Sequence, residues 1–428
     1  MSRWRSVFFW SILAAAFIGP GTVTTAAKAG SALGLDLLWA LLFSVAATIL
    51  LQETAARLTL GANRPLGAIL GERYQHSGRY LAAFLFMVIA LGCGAYQMGN
   101  LLGAMAGLEL LGWQSPWLLL SLGLVAALLL YTGNIQTITR SLALIVAVLG
   151  IVFCWAALGA AFSWSAVWSG LHIRITDQSA LLAISLIGTT IVPYNLFLAS
   201  GLSRGQSLPD MRWGIGLAVL IGGLITLAIL LTGTQVHGEF SFAGLANALH
   251  QRLGTAGGPL LTIGLFAAGF SSAITAPLAA AITGRTLLGY HDERWQSTGS
   301  YFRLSWGLVL GMGLVFALLQ LKPVPAIIAA QALNGLILPL VAVLLILAIN
   351  DTTLLPPAYR NGRWLNILSL LTVGVTTFLG LHNIWSALGR LWPALLTPNP
   401  SVRWYLNWSV ACLLMLLIGL RLPWRKLS

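Results

Sequence analysis

The feature that most limits this chain is the succession of apolar runs that fills it almost from end to end. Only 8% of its 428 residues are charged while 58% are apolar, against ~25% charged in soluble domains. A bilayer crossing needs ~20 apolar residues, and runs of that kind fall near 8–32, 36–59, 79–106, 117–133, 138–162 and 179–202. A second set follows near 213–236, 258–285, 302–321, 324–349, 364–383 and 404–420, the last so short that eleven crossings stand beside twelve as a count. The connecting segments are too short for a second, water-soluble domain. An ordinary soluble enzyme is thereby excluded, and the expectation is an all-α membrane protein whose first partner is the lipid bilayer. Arg3 and Arg5 ahead of the first run imitate a signal peptide. The run continues to Gly30 without a convincing cleavage site, so it is read as a retained span.

A net charge of +13 is a topology signal here. The basic residues are scattered, with no run longer than two, which argues against nucleic acid. With the N-terminus in the cytoplasm and spans alternating, seventeen Lys and Arg fall inside, among them Arg57, Arg64, Arg204, Arg212, Arg285, Arg303, Arg360 and Arg363. Six fall outside or within a span: Lys28, Arg174, Arg252, Lys322, Arg390 and Arg403. That bias predicts a cytoplasmic N-terminus, and the compact loops point to a bacterial inner membrane. Trp39, Trp113, Trp117, Trp213, Trp364 and Trp404 stand at span edges, as interfacial anchors do. The three cysteines sit singly in apolar stretches, excluding a disulfide framework or a Cys-rich metal site. No GxxxxGK[ST], HExxH or paired membrane carboxylate is present. ATP-driven transport is thereby argued against, secondary transport and a channel remain, and the expectation is a protein that is not an enzyme, has no resident cofactor and suffices as a monomer.

Two spans are interrupted. Gly19-Pro20-Gly21-Thr22 breaks the first and Val192-Pro193-Tyr194-Asn195 the sixth. A proline inside a helix removes a donor and clashes with the preceding turn, and in hydrocarbon the freed backbone groups are tolerated where they line an enclosed cavity. A simple kink is the plain alternative for either one. Breaks in the first and sixth spans are where a five-plus-five inverted repeat places a transporter site. The new half-helix N-termini near Thr22 and Asn195 offer free N–H groups and positive dipole ends.

These stretches resemble a known family. Gly188-Thr-Thr-Ile-Val-Pro-Tyr-Asn-Leu-Phe-Leu-Ala-Ser200 is similar to the G-A-T-V-M-P-H-N-L-Y-L-H-S of the sixth span of Nramp metal-ion transporters. Gly19-Pro-Gly-Thr-Val-Thr-Thr-Ala-Ala-Lys-Ala-Gly30 is similar to their first-span D-P-G-N-V-A-T-D-I-Q-A-G. Leu51-Gln52, Ala55–Leu58, Ala267–Ser272, Ala330-Gln331 and Leu338–Leu340 add matches along nearly the whole chain. The resemblance implies the LeuT-type fold: a first five-helix repeat at 1–162, its inverted partner at 179–349, and additional C-terminal helices at 364–428. It also implies a replaced metal site. The family's Asp falls on Gly19, its Asn on Thr22, its thioether on Val192, and its two histidines on Tyr194 and Ala199. The span-3 acids linked to proton movement fall on Gln97 and Asn100, and Gln331 alone keeps a polar ligand.

Transition metals favour carboxylate, imidazole or sulfur, none of which the aligned positions supply. Two positive helix ends without a fixed anion resemble the LeuT-type way of holding a carboxylate. The expectation is therefore transport of a small anion, with bicarbonate as the specific candidate. Gly19, Gly21, Thr22, Thr24, Thr189, Val192, Tyr194, Asn195 and Gln331 form its site, and Lys28 supplies a cation about two turns further along span 1. Lys28 snorkelling to the interface is the plain alternative. Ser271 and Ser272 resemble the sodium site of LeuT-type symporters, making Na⁺ the expected coupling ion. Close helix packing explains the same serines equally well. A divalent cation (Mg²⁺ or Mn²⁺) transporter, tolerating contact through water, and a symporter for a small neutral or zwitterionic solute remain alternatives. Glu53, four residues before Arg57, reads as a helical ion pair.

Overall fold

The computed structural model describes residues 18–73, 75–133, 136–160, 162–319, 321–391 and 400–423. Among them the regular structure is helical throughout. In chain order the helices are α1 Pro20–Leu33, α2 Leu38–Ala62, α3 Leu66–Arg73, α4 Gln75–Glu109, α5 Pro116–Thr132, α6 Gln136–Ala157, α7 Trp164–Gly170 and α8 Asp177–Thr190. Then come α9 Pro193–Leu202, α10 Leu208–Gly233, α11 Phe242–Leu253, α12 Gly257–Leu288, α13 Ser300–Leu318, α14 Pro323–Ile349, α15 Arg363–Leu391 and α16 Pro400–Gly419. Nine helical stretches among the described residues are long and apolar enough to cross a membrane, and α5 and the Ser141–Ala157 part of α6 are shorter apolar stretches. The first half of the expected first span lies largely outside the described residues.

The helices begin where the sequence offers a reason. Ser115, Ser163, Ser207 and Ser241 each accept an N–H from the first turn that follows, and Thr176 with Ser179 forms a reciprocal capping box for α8. Such caps satisfy amide groups that a helix start leaves free. The two interruptions differ. α8 ends at Thr190, Val192 is extended at φ −79°, ψ 125°, and Pro193 restarts the chain as α9. Gly19 is likewise extended at φ −87°, ψ 175° before Pro20 opens α1. The residue before a proline is pushed out of the helical region, so each break is written locally. Neither α1 nor α9 receives a side-chain cap.

Three helices are absent from the sequence expectation: α3 with 8 residues, α7 with 7 and α11 with 12. All are too short to cross a bilayer, so a search for apolar runs of crossing length passes over them. Elsewhere the helices follow the expected spans with ends shifted by a few residues, α6 stopping at Ala157 where the expected span runs to 162.

Close packing rests on small residues, as expected where lipid removes the hydrophobic incentive for helices to associate. A Cβ on Gly30 of α1 would stand 2.0 Å from the Leu230 carbonyl oxygen of α10, and one on Gly233 of α10 would stand 2.2 Å from that of Ala27. These two glycines let α1 and α10 approach backbone to backbone. At one end of the bundle, Arg57 of α2 is 1% exposed. Its Nε donates to Glu53 at 2.9 Å, Nη1 to the Tyr359 carbonyl at 2.6 Å and Nη2 to Asn361 at 2.6 Å. Arg212 of α10 donates to the same Glu53 at 2.8 Å. The expected helical pair is present, and it is the centre of a knot joining α2, α10 and the segment before α15.

Candidate functional site

The start of α1 meets the end of α8, where the α8–α9 break begins. Thr22, one turn into α1, and Thr189, at the end of α8, place their hydroxyls 2.9 Å apart. Both are buried, at 2% and 0% exposure. Gln331 of α14 closes a third side. A Cβ on Gly21 would stand 2.1 Å from its Nε2, and one on Gly188 would stand 2.0 Å from its carbonyl oxygen. The two glycines therefore hold Gln331 against α1 and α8 together.

Polar atoms here lack protein partners. Gln331 is 0% exposed and Asn195 of α9 is 2% exposed. Both amide oxygens and both amide nitrogens are buried without a hydrogen bond among the described residues. A buried unpaired polar group costs ~1–3 kcal/mol. Four such atoms on two side chains leave hydrogen-bonding capacity unmet here, as the buried amide of Asn407 in α16 also does.

An aromatic pair borders the same region. Tyr194 of α9 meets Tyr96 of α4 edge to face with centroids 5.9 Å apart, and the Tyr96 hydroxyl lies beside Thr189 and Tyr194. A Cβ on Gly19 would lie 3.4 Å from the Tyr96 hydroxyl and 3.3 Å from Ser272 Oγ of α12. Tyr96 was not among the expected site residues. Its signal is slight: an aromatic immediately before Gln97 in a span carrying Gly92, Gly94 and Gly99.

Several expected residues stand elsewhere or are already engaged. Thr24 donates its hydroxyl to the Pro20 carbonyl at 2.7 Å, one turn back on its own helix, and that bond removes it as a donor to a ligand. Ser271 donates to the Ala268 carbonyl at 3.2 Å, leaving Ser272 as the member of the pair that reaches Gly19. Gln97 is buried, its Nε2 donating to the Ala273 carbonyl at 3.0 Å and its Oε1 unpartnered. It packs on Gly313 of α13, so it faces α12 and α13. Asn100, also buried, leaves Nδ2 unpartnered. Val192 is the buried residue preceding Pro193. Lys28 is half-buried and lines a separate cavity of about 850 Å³ that it shares with Glu109, Glu239 and Lys322.

The site can therefore present neutral oxygen and amide groups, with no carboxylate, imidazole or thiolate among them. Among the described residues no group of three or more His, Cys, Asp and Glu is placed to hold a metal ion.

Comparison with known proteins locates the chain. Residues 11–386 match the family model for natural resistance-associated macrophage protein-like (Nramp) proteins. A divalent metal cation transporter of Verminephrobacter eiseniae is 24% identical over 351 residues, covering 77% of each chain. The corresponding transporter of Mycobacterium tuberculosis is 26% identical over 349 residues, covering 77% of this chain and 79% of its own. Among solved structures, a manganese transporter of Eremococcus coleocola bound to an aromatic bis-isothiourea compound superposes with a TM-score of 0.73 at 19% identity, covering 98% of this chain and 94% of the other. A nucleobase-cation-symport-1 transporter, Mhp1, superposes with a TM-score of 0.56 at 14% identity, with the same coverage. The fold is accordingly LeuT-type, and the chain belongs to the Nramp family of transporters.

Proposed function

We propose that this protein is a secondary transporter of a divalent cation, Mg²⁺ or Mn²⁺, held between the two breaks with part of its water shell in place. The observation that carries the reading is the buried, unpartnered amide of Gln331, packed on Gly21 and Gly188 next to the Thr22–Thr189 bridge, together with the equally unpartnered amide of Asn195 in the first turn of α9. Amide and hydroxyl oxygens are hard donors, and Mg²⁺ characteristically keeps several waters. A site of neutral oxygens fits a partly hydrated cation better than a bare one, because without a carboxylate the cost of stripping water is not recovered. The relatives named as divalent cation and manganese transporters support the cation. They raise it above the anion that the replaced ligands alone favour.

Replacing the amides tests this directly. Asn195→Ala and Gln331→Ala should each lower Mg²⁺ or Mn²⁺ uptake into proteoliposomes about tenfold, a loss of ~1.4 kcal/mol, with folding retained. Wild-type uptake rates in both variants would remove the cation from this site.

A second reading has its own observation. α1 and α9 both start without a side-chain cap, and helix N-termini attract anions. Bicarbonate coupled to Na⁺, with Ser272 beside the first break as part of the ion site, uses the same residues with the amide nitrogens turned inward. We also infer that residues 1–162 and 179–349 are the two inverted repeats, with 364–428 appended. The Lys and Arg bias supports a cytoplasmic N-terminus, and the compact loops support a bacterial inner membrane.

A further inference from the structure

The cavity of about 850 Å³ lies at the end of the bundle opposite the Arg57 knot, and it is separate from the amide site. Ile328 and Ala329 of α14 line it, while Gln331, the next residues along that helix, is 0% exposed. On α1 and α8 its lining ends at Lys28 and Leu182, six and seven residues from Thr22 and Thr189. Four charged side chains converge on it from four parts of the fold: Lys28 of α1, Glu109 closing α4, Glu239 ahead of α11, and Lys322 preceding α14. They form two layers. Lys28 and Glu109 are half-buried, while Glu239 and Lys322 are exposed at the rim.

Three features separate this arrangement from a solvated surface. The chain uses arginine for 20 of its 23 basic residues, yet two of its three lysines are here. Lys322 occupies the N-cap of α14 and Glu109 the last position of α4. Each charge there opposes the local helix dipole, so helix stability does not account for either. Finally, among the described residues none of the four has an ion-pair partner within 4.0 Å. Opposite charges that share one cavity without touching leave a space between them.

The sum of the four is zero, so the ring selects for neither a simple cation nor a simple anion. A molecule carrying both signs satisfies it. The walls supply the rest: Phe240, Phe242, Leu182, Val324 and Ile328 are apolar. The volume falls within the ~300–1,000 Å³ usual for small-molecule sites. We propose that this cavity is a binding site for a small zwitterion with an apolar substituent, of the α-amino-acid class. Its carboxylate meets the Lys28 ammonium, its ammonium meets the Glu109 carboxylate, and its apolar part lies against the two phenylalanines. The rim pair repeats the same polarity for the approaching molecule. The site is distinct from the one that takes the transported ion, and its occupancy is read by binding, without transport.

The probes are L-leucine, 4-methylpentanoate, which lacks the ammonium, and 3-methylbutylamine, which lacks the carboxylate. Binding is followed by thermal stabilisation and calorimetry of the purified full-length protein. L-leucine should bind at least about tenfold more tightly than either single-charge probe. Lys28→Gln should lose that preference over 3-methylbutylamine, and Glu109→Gln should lose it over 4-methylpentanoate, while both variants melt as the wild type does. Absence of leucine binding, equal binding of the three probes by the wild type, or unchanged leucine preference in both variants would overturn the proposal. So would charge variants that alter melting without altering binding, since the four charges would then be a closing gate that pairs with itself.

Discussion

The hydroxyls of Thr22 and Thr189 lie 2.9 Å apart and are buried, joining the first turn of α1 to the end of α8. Hydrogen bonds between helices in a membrane contribute about 0.6 kcal/mol on average. Thr22→Val and Thr189→Val should each lower the melting temperature slightly in detergent. The double variant should lose less than the sum of the two, because the second substitution removes a bond already broken. Additive losses in a thermal-shift series would show that the two hydroxyls act independently.

Gly21 allows Gln331 to occupy its place. Gly21→Ala puts a methyl where Nε2 now lies, so the amide must leave. The variant should fold and lose uptake about tenfold or more. Adding Gln331→Ala should bring no further loss, because the displaced amide is the reason for the first. A double variant much weaker than Gly21→Ala alone, in the same proteoliposome assay, would place the defect elsewhere.

Gly19 marks a point where a Cβ can be added with only a small shift of its neighbours. A Cβ there would meet only Ser272 Oγ at 3.3 Å and the Tyr96 hydroxyl at 3.4 Å, both able to give slightly. Gly19→Asp should therefore fold, place a fixed anion beside the break, and tighten Mn²⁺ binding about tenfold, or ~1.4 kcal/mol. Calorimetry of Mn²⁺ with the variant and the wild type checks this. Weaker Mn²⁺ binding by the variant would show that the first break does not face the cation.

The Arg57 knot should be structural. Removing one member of a buried ion pair costs ~3–5 kcal/mol, and the guanidinium of Arg57 serves three acceptors at once. Arg57→Lys cannot reproduce that fork. It should reduce the yield of folded protein sharply, and Glu53→Gln should lower expression more than the turnover of what folds. A normally expressed but inactive Glu53→Gln, seen when uptake is normalised to folded protein, would make that carboxylate part of the transport cycle.

Much of this architecture is legible in the sequence because membrane spans declare themselves by length. Both breaks are marked by a proline that dictates its own neighbourhood, so Pro20 and Pro193 appear at the first positions of α1 and α9. Side-chain direction is less legible. Thr24 and Thr22 look equivalent on paper, yet a two-residue offset on a helix turns Thr24 back to the Pro20 carbonyl. The same holds for Ser271 and Ser272, where only the second reaches Gly19. Tyr96 enters the site through the packing of α4 against α9, which no local pattern encodes. The Lys28 cavity is assembled from positions as distant as 28, 109, 239 and 322, and only the fold brings them together.

Uptake by the wild-type protein in sealed proteoliposomes tests the proposed cargo most directly. Mn²⁺ and Mg²⁺ would be followed with a trapped indicator, and labelled bicarbonate in parallel, with and without an inward Na⁺ gradient. Saturable cation uptake above empty liposomes is expected, with no accumulation of bicarbonate under either condition. Concentrative bicarbonate uptake that collapses when Na⁺ is equalised, with no cation movement, would contradict it and make the uncapped starts of α1 and α9 an anion site.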